Sequence, residues 1–427
     1  MRNPFDLERR DVLGSVPLNL QRLPASSGIS VISWIGEAST AYDVRGKEGT
    51  AALTCRLLKS GTQHRSKKDL AKLLDRWAAT LSVEADGDAS TVEIRGPTVI
   101  EDRLVDLLCE VVFEPAFPAE EVSRARRISI ERLRRELTQP APLSERRFLE
   151  ALFPPGHPYH YSPLGTVRSV GQLTAKQLRE FHRKHYTIEG SRFAVTTSRD
   201  PTEVVRALER SLRAHPPSEG ALERPAFSAR KKFPGPAVLQ YRIAGSQQVS
   251  LVVGGIAPPI VDPSRAPLEL AHEVLGSRPI LSRLFQVVRE QNGLAYYADS
   301  SLHMLREAGY WLATAGTATE TSSQVQNLLL REVRRLGEEK VASSELDSIR
   351  NSLLGSLPLL LDTPPSAHTL AQEVTIYGLP PDHFLRWPDA LRRVTPQEIR
   401  SAVQEHLGGW NEPLQVIAGP QPSAPKS

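Results

Sequence analysis

The chain has 427 residues, with 53 Lys or Arg against 49 Asp or Glu and a formal net charge of +4. Hydrophobic residues make up 40% and charged ones 24%, a globular composition with length for two or three domains, and the near balance of charge argues against a dedicated nucleic-acid binder. No apolar run is long enough to span a membrane, and the two cysteines, Cys55 and Cys109, form neither a CxxC pair nor a disulfide framework.

In chain order, the opening MRNPFDLERRDVLGS scatters charge where a secretory leader carries an apolar core. The expected compartment is therefore the cytoplasm, or the periplasm if a leader has been removed. GISVISWIG (28–36) and STVEIRG (90–96) read as strands, while GTAALTCRLLKSG (49–61) and KKDLAKLLDRWAATL (67–81) carry helical periodicity. EEVSRARRISIERLRREL (120–137) predicts an Arg-rich amphipathic helix, with RARR (124–127) on a solvated face. HPYH (157–160) follows Pro154, Pro155 and Gly156 and reads as loop.

LTAKQLREFHRKH (173–185) then starts a helix with Thr174 as N-cap and Gln177 three residues on, and it leads to the strand RFAVTT (192–197). The Pro-, Gly- and charge-rich 214–237, including RKK (230–232), reads as an exposed linker. Beyond it VSLVVGGI (249–256) and GYWLATAGT (309–317) predict strands, and SSQVQNLLLREVRRLGEE (322–339) a helix. VTPQEIRSAVQEH (394–406) repeats the capped start with Thr395, Pro396 and Glu398 and leads to the strand LQVIAG (414–419). Strands mixed with helix pairs, without strict alternation, indicate an α+β fold.

These two capped segments form an internal repeat. Thr174 and Thr395, Arg179 and Arg400, and His185 and His406 are each 221 residues apart. Glu121 and Glu345, and Arg126 and Arg350, follow at an offset of 224. Two homologous halves result, 1–213 and 238–427, joined by 214–237.

Metal-binding patterns are lacking. There is no HExxH, HxxEH or paired cysteine, and no GxSxG elbow, P-loop or dinucleotide fingerprint. His157/His160 and His182/His185 stand at i,i+3 without carboxylates at useful spacing, and read as surface or capping histidines. Trp34, Trp77, Trp311, Trp387 and Trp410 are scattered, as core or interface residues are.

An ordered string of motifs nonetheless resembles one family, the M16 zinc peptidases (insulinase, pitrilysin, mitochondrial processing peptidase). It includes LLKSGTQHRSKKDLAKLLD (57–75), PAFPAEEVSRAR (115–126), HPYHYSPLGT (157–166), SRPILSRLFQVVREQNGLAYYADSS (277–301), SSELDSIRNSLLGSL (343–357) and VIAGP (416–420). The resemblance covers nearly the whole chain and implies two homologous α/β-sandwich domains in a clamshell with a partner subunit. The family's HxxEH places two His ligands and a Glu base on one helical face. Counted back from Gly61-Thr62, those positions are Ala52, Cys55 and Arg56 here. Ala offers no donor, Arg repels a cation, and Cys stands where the base belongs. A third-ligand Glu about 75 residues on matches Glu131, which on residue type alone is a solvated helix carboxylate. The resemblance therefore implies no metal in this chain.

In the second half, Arg289 and Tyr296 of REQNGLAY match the family's Arg/Tyr pair, which reaches from the C-terminal domain toward the zinc site. A guanidinium and a phenol are suitable donors for a tetrahedral oxyanion or the flanking peptide backbone. The spacing favours Tyr296 over Tyr297, and Gly293 suits the turn between helix and strand. Arg283 and Phe285 read as structural, a pairing residue and a core residue respectively. The resemblance implies the non-metal-binding subunit of a heterodimeric zinc endopeptidase. Its HxxEH partner would supply zinc and base, and the substrate would be a peptide. A structural scaffold subunit, and a subunit presenting leader peptides to a natural-product protease, stay open alongside.

Overall fold

The computed structural model describes residues 7–215, 224–225, 227, 237–278 and 280–420. Most of the 214–237 linker lies outside them. The chain divides into two compact units. Unit one contains Met1–Leu133, Ser162–Ala226 and Leu357–Arg386; unit two contains Arg134–Tyr161, Phe227–Ser356 and Trp387–Ser427.

Unit one is built on a six-stranded sheet of β1 (Glu8–Val12), β2 (Val16–Arg22), β3 (Ile29–Gly36), β4 (Thr80–Ala85), β5 (Ser90–Pro97) and β6 (Ser191–Thr197), in the order β1-β2-β6-β3-β5-β4. Only β2 and β6 pair in parallel. Alternation sends Ile32 and Trp34 of β3, with Val92 and Ile94 of β5, to one face. There they are buried in a common cluster with Leu53 and Leu57 of helix Thr50–Leu57 and Leu104 and Leu108 of helix Glu101–Phe113. The opposite face is partly polar and lies under helix Pro364–Tyr377. On that face Ser33 and Thr196 hydroxyls stand 2.8 and 2.9 Å from the two ring nitrogens of the fully buried His368. Burial pushes His368 down to about 3.

Unit two repeats the plan. Its five-stranded sheet joins β7 (Val238–Arg242), β8 (Gln248–Ala257), β9 (Ala295–Met304), β10 (Gly309–Ala318) and β11 (Leu414–Gly419) in the order β7-β11-β8-β10-β9, again with one parallel pair, β7 with β11. Strand for strand this is the β2-β6-β3-β5-β4 arrangement of unit one. One face packs Val252, Leu312 and Val416 against Phe148 and Leu152 of helix Pro140–Leu152. Gly254 lies directly beneath Phe148, and a Cβ there would approach the ring to 2.8 Å. Each sheet is thus covered by a helix from the other half of the chain, an exchange that the linear boundaries 1–213 and 238–427 do not express.

The repeated residues have repeated jobs. Thr174 with Gln177 and Thr395 with Glu398 form complete capping boxes. Arg126 donates to the Gly171 carbonyl and Arg350 to those of Leu391 and Val394, so each ties its helix to the turn ahead of the capped one. Glu121 pairs with Lys67 as Glu345 does with Arg283. The expected helix 67–81 stops at Arg76, because Thr80–Ala85 is the edge strand β4. Of the four histidines expected to be surface or capping residues, three are buried, and His182 does cap the last turn of helix Glu101–Phe113. His157, His160 and His185 are buried, and His182 contacts the Val112 carbonyl at 2.7 Å. Aromatic neighbours such as Phe153, Phe181 and Tyr186 cover these rings.

Candidate functional site

In unit one, helix Thr50–Leu57 begins where the Asp43 carboxylate accepts hydrogen bonds from the Gly49 and Ala51 amides, at 2.7 and 2.9 Å. Ala52, Cys55, Arg56 and Lys59 follow at helical spacing and all line one cleft of ≈ 630 Å³, whose other wall includes Glu84 of β4 and Glu93 of β5. Cys55 is 1% exposed, and its thiol points at the Glu84 carbonyl, 3.2 Å away. Burial pushes the thiol up to about 12, and a single thiol falls short of the three or four ligands that zinc takes. Ala52 has no donor, and Arg56 carries a permanent positive charge into the cleft. Glu131 is exposed on its helix and does not line the cleft, whereas the adjacent Arg132 does. Among the described residues no group of three or more His, Cys, Asp or Glu is placed to hold a metal ion. The donor set at this helix does not fit zinc.

Arg289 and Tyr296 belong to unit two. Arg289 is the penultimate residue of a π-helical turn, Phe285–Glu290, a geometry common at functional sites. The turn is anchored at its start by Arg283, buried to 8% exposure, whose Nε and Nη2 donate to the two Glu345 carboxylate oxygens at 2.8 Å each. It closes where the Gly293 and Leu294 amides donate to the Arg289 and Val288 carbonyls, with Gly293 at φ +62°. Arg289 itself is exposed. Its guanidinium carbon sits 5.2 Å from the centre of the Phe285 ring, and among the described residues it has no hydrogen bond or ion pair. Phe285, expected in the core, is half-buried beneath this cation.

Tyr296 is 66% exposed and stands on the edge strand β9, just past the Gly293 turn. Ala295 pairs with Thr317 and Tyr297 with Gly316, so Tyr296 is the extra residue of a β-bulge. The bulge separates the two tyrosines. Tyr297 turns back over the sheet, its ring against Gly316 and its hydroxyl 3.3 Å from the Ser250 hydroxyl, whereas no partner holds the Tyr296 hydroxyl among the described residues. Nothing in the residue pattern signals the bulge, because AYYADSS alternates as an ordinary strand does.

Comparison with known proteins places this geometry. Residues 29–154 match the family description "Insulinase (Peptidase family M16)", and residues 172–353 match "Peptidase M16 inactive domain". The chain belongs to peptidase family M16. A relative in Mycobacterium tuberculosis, named an uncharacterized zinc protease, is 27% identical over 408 residues, or 93% of this chain and 90% of its own length. Another of that name in Streptomyces coelicolor is 26% identical, over 85% of this chain and 79% of its own. Among solved structures, a peptidase M16 inactive domain from Pseudomonas fluorescens superposes with a TM-score of 0.89 at 21% identity, covering 99% of each chain. A protease from Helicobacter pylori does so at 0.90 and 16%, covering 97% of this chain and 99% of its own. The two-unit α+β architecture is therefore the M16 fold.

Proposed function

We propose that this M16 chain is the non-metal-binding subunit of a two-subunit zinc endopeptidase. The observation that carries the reading is a contrast between the two units. The helix that bears the family's metal motif presents Ala52, a buried Cys55 thiol and Arg56, while Arg289 and Tyr296 are exposed on a braced turn and a bulge, with no hydrogen bond or ion pair to the Arg289 guanidinium or the Tyr296 hydroxyl among the described residues. A partner with an intact HxxEH supplies zinc, and zinc there activates water for peptide hydrolysis. This chain's part is to donate. The Arg289 guanidinium and Tyr296 hydroxyl orient the substrate backbone and hold negative charge that develops on the attacked carbonyl oxygen. The open edge of β9 lies beside Tyr296 and offers backbone groups to an extended peptide.

The test has two parts. Zinc titration of the isolated chain should reveal no tight site, and the isolated chain should not cleave an unfolded peptide. Mixing with an HxxEH-bearing M16 subunit should produce cleavage. Tight zinc and activity in the isolated chain would defeat the division of labour. A mixed complex that cleaves equally well without the Arg289 guanidinium would favour a scaffold role instead.

A further inference from the structure

The cleft over helix Thr50–Leu57 is lined by charges of both signs. Arg56 lines it from the helix, Lys59 from the 3-10 turn Leu58–Ser60 that continues the helix, and Arg132 from helix Ala119–Glu136. Arg56 is half-buried, yet among the described residues it makes no ion pair and no hydrogen bond. A guanidinium partly removed from water and left unpaired is unfavourable in the free protein, and an anion that reaches it gains a charge-assisted, bidentate contact. The opposite wall has the other sign. Glu84, Asp86 and Glu93 line it, and Gln372 donates to the Glu93 carboxylate at 2.9 Å.

This division of charge selects the ligand. A polyphosphate or nucleic acid would gain Arg56 but face three carboxylates lining the same cleft, whereas a single carboxylate can occupy the helix side alone. We infer that the cleft binds a peptide through one carboxylate held by Arg56, with Lys59 and Arg132 adding to the positive field. The inference concerns unit one only and stands whether or not Arg289 and Tyr296 serve catalysis. The carboxylate has two sources, a peptide C-terminus or an Asp or Glu side chain.

Fluorescence anisotropy on the full chain separates them, using three labelled alanine-based pentapeptides: a free acid, its C-terminal amide, and an amide with one central Glu. The carboxylate-bearing peptide that fits should bind at least about tenfold more tightly than the neutral amide. Arg56→Met should abolish that preference while the neutral amide is unaffected, and Lys59→Gln, a change at an exposed position, should weaken it several-fold. A preference for the free acid assigns the C-terminus, and a preference for the Glu amide assigns the side chain. Absence of binding, equal binding of all three, or a preference that survives Arg56→Met overturns the inference.

Discussion

Replacing Arg283 with Met removes the brace beneath the Arg289 turn and tests how that turn is held. Arg283 is buried and meets Glu345 through two 2.8 Å bonds, so the variant leaves a carboxylate without its partner. Loss of one member of a buried pair costs about 3–5 kcal/mol. The Glu345 side chain keeps 27% of its surface in solvent and can rehydrate, which lowers the expected loss to about 2–3 kcal/mol. Arg283→Met/Glu345→Leu should recover to within about 1 kcal/mol of the parent, because the penalty is an orphaned charge rather than a lost attraction. Urea unfolding followed by tryptophan fluorescence, with Trp311, Trp387 and Trp410 reporting on unit two, measures Arg283→Met, Glu345→Leu and the double variant. Single variants within about 0.5 kcal/mol of the parent, or a double variant that loses the sum of both single losses, would refute the reasoning.

Further expectations follow from single contacts. Gly293→Ala places a Cβ at φ +62° and should cost about 1 kcal/mol, read as a lowered urea midpoint. Phe148→Ala should cost about 3–5 kcal/mol and should act on unit two although the residue belongs to the first half of the chain, which limited proteolysis can localise. Burial holds His368 down to about 3, below the unfolded value near 6.5. The unfolded chain therefore binds the extra proton between those values. Stability present above pH ~6.5 is lost as pH falls toward ~3, by up to about 1.4 kcal/mol per pH unit for this group. His368→Asn should reduce the slope of stability against pH by about one proton; an unchanged slope would remove His368 as its source.

Much of the fold was legible because local signals and tertiary role coincide. Thr174 and Thr395 mark their helices by capping chemistry that is complete within four residues, and six strands read from alternation recur in the structure within a residue or two. What was hidden is non-local. Local pattern carries no sign that helices Pro140–Leu152 and Pro364–Tyr377 each cover the sheet of the opposite half. Strand β4 is masked in the sequence because AATL continues the apolar spacing of KKDLAKLLDRW, and only pairing with β5 makes it a strand. The loss of zinc ligands at Ala52, Cys55 and Arg56 could be read by position. The placement of Arg132 rather than Glu131 in the cleft depends on the rotation of helix Ala119–Glu136. Likewise the outward aim of Tyr296, against the inward turn of Tyr297, follows from a bulge that leaves no trace in residue type.

The central claim is most directly tested by the kcat/KM of a reconstituted pair, this chain with an HxxEH M16 subunit, on an unfolded peptide. Arg289→Ala and Tyr296→Phe in this chain should each lower it by about 1–4 kcal/mol in transition-state stabilisation, with binding of the two subunits unchanged. Full kcat/KM in both variants, at equal subunit affinity and equal zinc content, would contradict the claim that this chain contributes to the chemistry.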